Sequence, residues 1–210
     1  MIKVKICGIR TLDEAMARTE ASRCLQCDEI CSVCVAVCPN RANVEFQMEP
    51  VSFKIQEASK GANGVEIVDV ETERIEQKYQ ILNLGDYCNE CGNCATFCPT
   101  SGAPYRDKAK FHVTAQSFAS ARLGYCFTAP NRLEYKQDGR TARLDLAPDG
   151  YLYENDEVRA LLGDDYAARK AELKGGGDAC VSLRHAVEMA ILAQAVRQVM
   201  PLAVREDTER

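Results

Sequence analysis

The run Cys88-Asn89-Glu90-Cys91-Gly92-Asn93-Cys94-Ala95-Thr96-Phe97-Cys98-Pro99 packs four cysteines into one short stretch and closes on a proline. A shift of 60 residues lays Cys31, Cys34, Cys38 and Pro39 over Cys91, Cys94, Cys98 and Pro99, so the unit occurs twice. The first copy is irregular at its start. The same shift sets Asp28 opposite Cys88, with Cys27 one residue early and Cys24 four early. Of the 12 cysteines, only Cys7, Cys126 and Cys180 stand outside the two clusters, and isolated cysteines read as small buried hydrophobes.

The spacing C-x2-C-x2-C-x3-C-P is that of bacterial ferredoxins. Two-residue gaps let three thiolates wrap three corners of a [4Fe-4S] cubane, with the intervening amides free to donate to sulfur. Pro99 fixes φ and supplies no N–H, so the chain leaves Cys98 on a new course; in paired sites that fourth cysteine ligates the neighbouring cluster. The expected ligand sets are Cys88, Cys91 and Cys94 with Cys38, and Cys31, Cys34 and Cys98 with Cys27. Cys24 and Asp28 compete for the Cys27 position, the latter as a hard oxygen donor less suited to iron-sulfide. Zinc also takes four-cysteine sites, but its ribbons separate two C-x2-C pairs by about a dozen residues or more. Tyr87, Phe97, Pro39 and Pro99 adjoin ligands and are expected to contact the cofactors, the two aromatics as hydrophobic cover that limits water.

Composition frames this chemistry. The chain has 210 residues, 46% hydrophobic and 27% charged, with a net charge of −5, which is globular and gives no basic surplus for nucleic acid. Its opening MIKVKICGIR lacks the apolar region of about 7 to 15 residues that a secretory signal needs. The most apolar stretch, Ala186 to Met200, is interrupted by Glu188, Gln194, Arg197 and Gln198 and falls short of a span of about 20 residues. A cytoplasmic location with reduced thiols and no membrane span is expected. No G-x-G-x-x-G or P-loop occurs, and His112 and His185 complete no triad or H-E-x-x-H pattern. No catalytic residue is expected in this chain; both histidines read as surface or satisfied structural residues.

Local patterns place these motifs. Ile2 to Ile6 alternates as a strand would, and Thr11 with Glu14 makes a capping box opening a helix to about Arg23. Val44 to Ile55, Val65 to Val70 and Tyr79 to Leu84 have β character, broken by Pro50 and by Gly61-Ala62-Asn63-Gly64. Asp138-Gly139 between Leu133–Tyr135 and Ala142–Leu146 is a type I′ hairpin signal, and Asp149-Gly150 repeats the turn chemistry. Helices are expected over about Asp164 to Leu173 and about Ala179 to Met200. The fold class expected is α+β: a ferredoxin-like two-[4Fe-4S] core with an inserted β-hairpin, and a C-terminal β-hairpin with helices. The expected domains are an N-terminal strand and helix (1–22), a two-cluster domain (23–110) with an insertion at about 44–84, and a C-terminal region (111–210) suited to docking a partner.

Glu20-Ala-Ser-Arg-Cys24-Leu-Gln-Cys27 resembles the opening of the iron-sulfur region in glutamate synthase small-subunit-like flavoproteins. The run Cys24 to Asn43, with Tyr87 to Cys94 and Pro104-Tyr-Arg-Asp-Lys108, resembles the C-terminal ferredoxin region of selenate reductase-type subunits, a family that shares the displaced first cysteine. The resemblance implies single-electron relay through two [4Fe-4S] clusters, between a flavin-containing oxidoreductase subunit and a further redox enzyme of the selenate reductase or molybdenum hydroxylase type. The alternative is a structural or redox-sensing iron-sulfur or zinc module.

Overall fold

A computed structural model describes residues 13–23, 31–62, 64–175 and 180–201, in two compact units, Met1–Cys31 and Ser32–Arg210. The first unit holds helix α1 (Glu14–Arg23), whose N-terminus is capped by Asp13: its carboxylate accepts from Met16 N at 2.8 Å. Thr11 and the strand expected at Ile2–Ile6 lie outside the described residues.

The second unit is built mainly of strands. Short helices α2 (Val33–Ala36), α3 (Asn93–Thr96), α4 (Pro104–Asp107) and α5 (Ala115–Ser120) punctuate β1 (Asn43–Gln47), β2 (Val51–Gly61), β3 (Gly64–Ile75), β4 (Tyr79–Leu84), β5 (Lys110–Phe111) and β6 (Leu123–Ala129). There follow β7 (Arg132–Gln137), β8 (Arg140–Ala147), β9 (Gly150–Asn155), β10 (Val158–Leu162), β11 (Ala168–Leu173), β12 (Val181–Ser182) and helix α6 (Arg184–Val199). Nine strands form one sheet in the order β1-β4-β5-β6-β7-β8-β9-β10-β11, and β12-β2-β3 form a second. The larger sheet is mixed: β5 runs parallel to both β4 and β6, and the remaining neighbours are antiparallel.

This overturns the expected α+β, ferredoxin-like class. Each cysteine motif supports only a single helical turn, because the x3 gap ends at proline after four helical residues. The β-branched segments between and after the motifs extend the sheets instead. The helix expected over about Asp164–Leu173 is also absent. Ala168–Leu173 is β11, paired with β10 from Val158↔Leu173 to Leu162↔Ala168. Its Ala-Arg-Lys-Ala-Glu-Leu composition favours helix, but an open ladder beside it outweighs a few tenths of a kcal/mol of propensity per residue, roughly. The last helix starts at Arg184 rather than near Ala179, since Val181 and Ser182 pair with Ala58 and Glu57.

The hairpin at Asp138-Gly139 forms as expected. Gln137 pairs with Arg140, and both loop residues have positive φ, 48° and 89°, the type I′ signature. The core is closed by α6, whose buried Ala186, Val187, Met189, Ala190, Ala193 and Val196 pack with Leu133, Leu144, Tyr153 and Val158 from the sheet. The alanines let the helix axis approach the strands closely.

His185 on α6 sits among tyrosines, with Nδ1 3.1 Å from the Tyr153 hydroxyl and Nε2 3.3 Å from that of Tyr125. Burial lowers its pKa to about 4. Between pH of about 6.5 and 4 the unfolded chain therefore binds a proton that the folded chain refuses, so His185 makes stability fall as pH drops through that window. Urea melts at pH 7 and 4.5 should show this loss in the wild type and a smaller one in His185→Gln; equal losses would exclude His185 as the cause.

Candidate iron-sulfur site

The two Cys-Pro motifs fold alike, hydrogen bond by hydrogen bond. Val37 N donates to Val33 O at 3.0 Å, and Phe97 N to Asn93 O at 3.1 Å. Arg41 N donates to Cys38 O and Ser101 N to Cys98 O, both at 3.2 Å. Arg41 and Ser101, 60 residues apart, both turn into the left-handed region, at φ 53° and 58°. These reversals aim amides back at sulfur: Ala42 N lies 3.2 Å from Cys38 Sγ, and Gly102 N 3.3 Å from Cys98 Sγ. The duplication read from spacing is thus a structural repeat.

Those amides set the thiol chemistry. Burial pushes the Cys38 thiol up, but the amides of Ala42, Asn43, Asn40 and Arg41 outweigh it and hold its pKa below the ordinary thiol value. The hydroxyl of Thr100, 3.3 Å from Cys98 Sγ, leads the amides of Thr100 and Gly102 in lowering the Cys98 pKa. Both cysteines are therefore biased toward thiolate, the form that ligates metal.

Strand β1 leaves the first motif and pairs with β4, which enters the second, so that Asn43 opposes Asn83. This pairing brings Cys38 to a small cavity that it lines together with Cys88, Cys91 and Cys94. Four cysteines from two motifs thus surround one space. Cys34 and Cys94, one on each single-turn helix, are buried. Among the described residues no three Cys, His, Asp or Glu side chains converge on one ion-sized point. Each iron of a cubane takes its own thiolate, so its ligands stand around a cavity, as these four do. The donor set suits that group, with four soft thiols and the Ala42 amide directed at Cys38 Sγ, in a lining that also carries Asn40, Asn43, Asn83, Asn89, Asn93 and Glu90.

The remaining expected residues are placed as follows. Cys31 ends the first unit, and Cys98 and the exposed Pro39 and Pro99 belong to the second. Cys24, Cys27 and Asp28 lie outside the described residues, as does Cys7. Tyr87 and Phe97 are 56% and 58% exposed, so they project from the surface rather than pack in the core. Cys126 is buried, as expected of an isolated cysteine, whereas Cys180 is exposed beside Glu57. Buried His112 is satisfied, with Nδ1 2.8 Å from Ser117 Oγ and Nε2 3.1 Å from Leu123 O.

Sequence reasoning missed a buried polar chain at this site. Asn43 Nδ2 donates to Cys34 O at 3.0 Å, and Asn83 Nδ2 donates to Asn43 Oδ1 at 2.8 Å. It also missed Asp86, whose carboxylate accepts from Val113 N at 2.7 Å and from Thr114 Oγ1 at 2.8 Å, tying the loop after β4 to the chain after β5. The available signal was a polar residue between two leucines, Leu82-Asn83-Leu84.

No family model and no solved structure matches this sequence. Among curated proteins the chain is similar to "Putative oxidoreductase YgfK" of Escherichia coli strain K12 and of strain O157:H7, 40% identical to each over 105 residues. The matched stretch is 50% of this chain and 8% of those proteins, so the chain corresponds to a small part of much longer relatives. Half of this chain is therefore related to proteins named as oxidoreductases.

Proposed function

We propose that this chain is an iron-sulfur electron relay with two [4Fe-4S] clusters, one on Cys88, Cys91, Cys94 and Cys38 and the other on Cys27, Cys31, Cys34 and Cys98. The observation that carries the reading is the cavity that Cys38 of the first motif shares with Cys88, Cys91 and Cys94 of the second. A proline-linked cysteine of one motif standing with the other motif's three is what a paired arrangement requires of Cys38. Such clusters supply one-electron chemistry. The chain's own part is to hold the thiolates, to exclude water around Cys34 and Cys94, and to direct the Ala42 and Gly102 amides at Cys38 and Cys98. Hydrogen bonds to ligand sulfur and exclusion of solvent are what tune cluster potential.

Tyr87 and Phe97, exposed beside ligands, offer aromatic surface for a partner. Eight thiolates and two oxidised cores would take the net charge from −5 to about −9, which favours a partner with a basic face. In this reading the donor is a flavin-containing oxidoreductase subunit, the acceptor an enzyme of the selenate reductase or molybdenum hydroxylase type, and the setting the reducing cytoplasm. The likeness to proteins named as oxidoreductases supports the redox role, and among the described residues no helix is long and apolar enough to cross a membrane.

Anaerobic reconstitution should give about eight iron and eight sulfide per chain, with a reversible low-potential redox wave. Four iron, or zinc in place of iron, would overturn the reading.

A further inference from the structure

Asn83 is the anomaly of the cysteine cavity. It is fully buried, lines the cavity with Cys38, Cys88, Cys91 and Cys94, and its Oδ1 has no hydrogen-bond partner among the described residues. A buried acceptor left unpaired is costly, so its orientation calls for an explanation. The partners fix which way the amide faces. The Cys34 carbonyl only accepts, so Asn43 must turn its NH2 to it and its oxygen to Asn83; Asn83 must answer with its own NH2. Turning Asn83 over would set oxygen against oxygen. One N–H of Asn83 is spent on Asn43, and an amide carries a second. The unpaired oxygen is what this fixed orientation costs.

We propose that Asn83, held by Asn43, is a positioning residue that directs its second side-chain N–H at the cluster on Cys38, Cys88, Cys91 and Cys94 and thereby raises that cluster's reduction potential. This rests on the two-cluster reading above. A donor favours the more negative, reduced state of the cluster. The chain Cys34 O, Asn43, Asn83 also runs from a proposed ligand of one cluster to the wall of the other, so the setting of one cavity is keyed to the backbone of the other motif.

The test is Asn83→Leu in the full chain, with iron and sulfide content measured alongside an EPR-monitored redox titration. Full loading is expected, with one of the two potentials lowered by about tenfold in the reduced-to-oxidised equilibrium constant, or about 59 mV for one electron, and the other unmoved. Full loading with both potentials unmoved would overturn this inference alone. Wild-type protein lacking about eight iron would overturn it together with the two-cluster reading. Against failure of the variant to load, wild-type protein carrying asparagine labelled with nitrogen-15 in the side-chain amide should show a nitrogen-15 coupling at a reduced cluster by pulse EPR. Absence of that coupling also overturns the proposal.

Discussion

Replacing Cys38 with alanine is expected to abolish the cluster of the second motif and spare that of its own. Iron should fall from about eight to about four per chain, and the EPR signal that survives should be the one lost in Cys98→Ala. The reason is the path of the chain after each proline. After Pro39 the chain turns at Arg41 into β1, and the β1–β4 pairing sets Cys38 at the cavity of Cys88, Cys91 and Cys94. Cys91→Ala should therefore copy Cys38→Ala. If Cys38→Ala instead copies Cys34→Ala, each motif holds its own group and the exchange is wrong.

Gly150→Ala should be the most damaging single methyl in the described structure. Gly150 begins β9, paired with Ala147, at φ 134°, where an L side chain is strained. A Cβ there would lie 2.0 Å from Leu162 O, a backbone atom of β10 that cannot move aside. Strain and overpacking, each about 1–3 kcal/mol, give a loss of about 4 kcal/mol. For a chain of this size that is a drop of roughly 10 °C in melting temperature. Thermal unfolding decides it, and a loss below about 1 kcal/mol would show that β9 and β10 part easily. Gly139→Ala is the control, since its Cβ would meet nothing within 4 Å despite a φ of 89°.

Legibility in the sequence followed the range of the interactions. The doubled motif was readable because cysteine spacing is local, and the Asp138-Gly139 hairpin because only such residues take two positive φ values in succession. The fold class was misread because ferredoxin-type spacing constrains about a dozen residues and says nothing of what is strung between them. The β11 segment was misread because its neighbour on the ladder was decided by β9 and β10, not by its own composition. The Asn43–Asn83 bond joins residues 40 apart, so Asn83 between two leucines could be noticed in the sequence but its partner could not. Tyr87 and Phe97 sit beside cysteines of the motifs in sequence yet face outward, because motif loops this short have no interior of their own.

The long β2–β3 hairpin has a consequence for how the cysteines meet. Its register runs from Gly61↔Gly64 to Val51↔Ile75, and the zipper resumes at Gln47↔Tyr79 through the Met48 N to Lys78 O bond. Closing a loop costs more as it lengthens, and hairpins form in about 1–10 μs. Once the turn near Gly61 closes, each further rung brings β1 and β4 nearer until Asn43 meets Asn83, with no separate search across the intervening chain. The insertion thus acts as a guide rail, because its register shortens the loop that separates the two halves of the cavity from 39 intervening residues to the turn between β1 and β2 and that between β3 and β4.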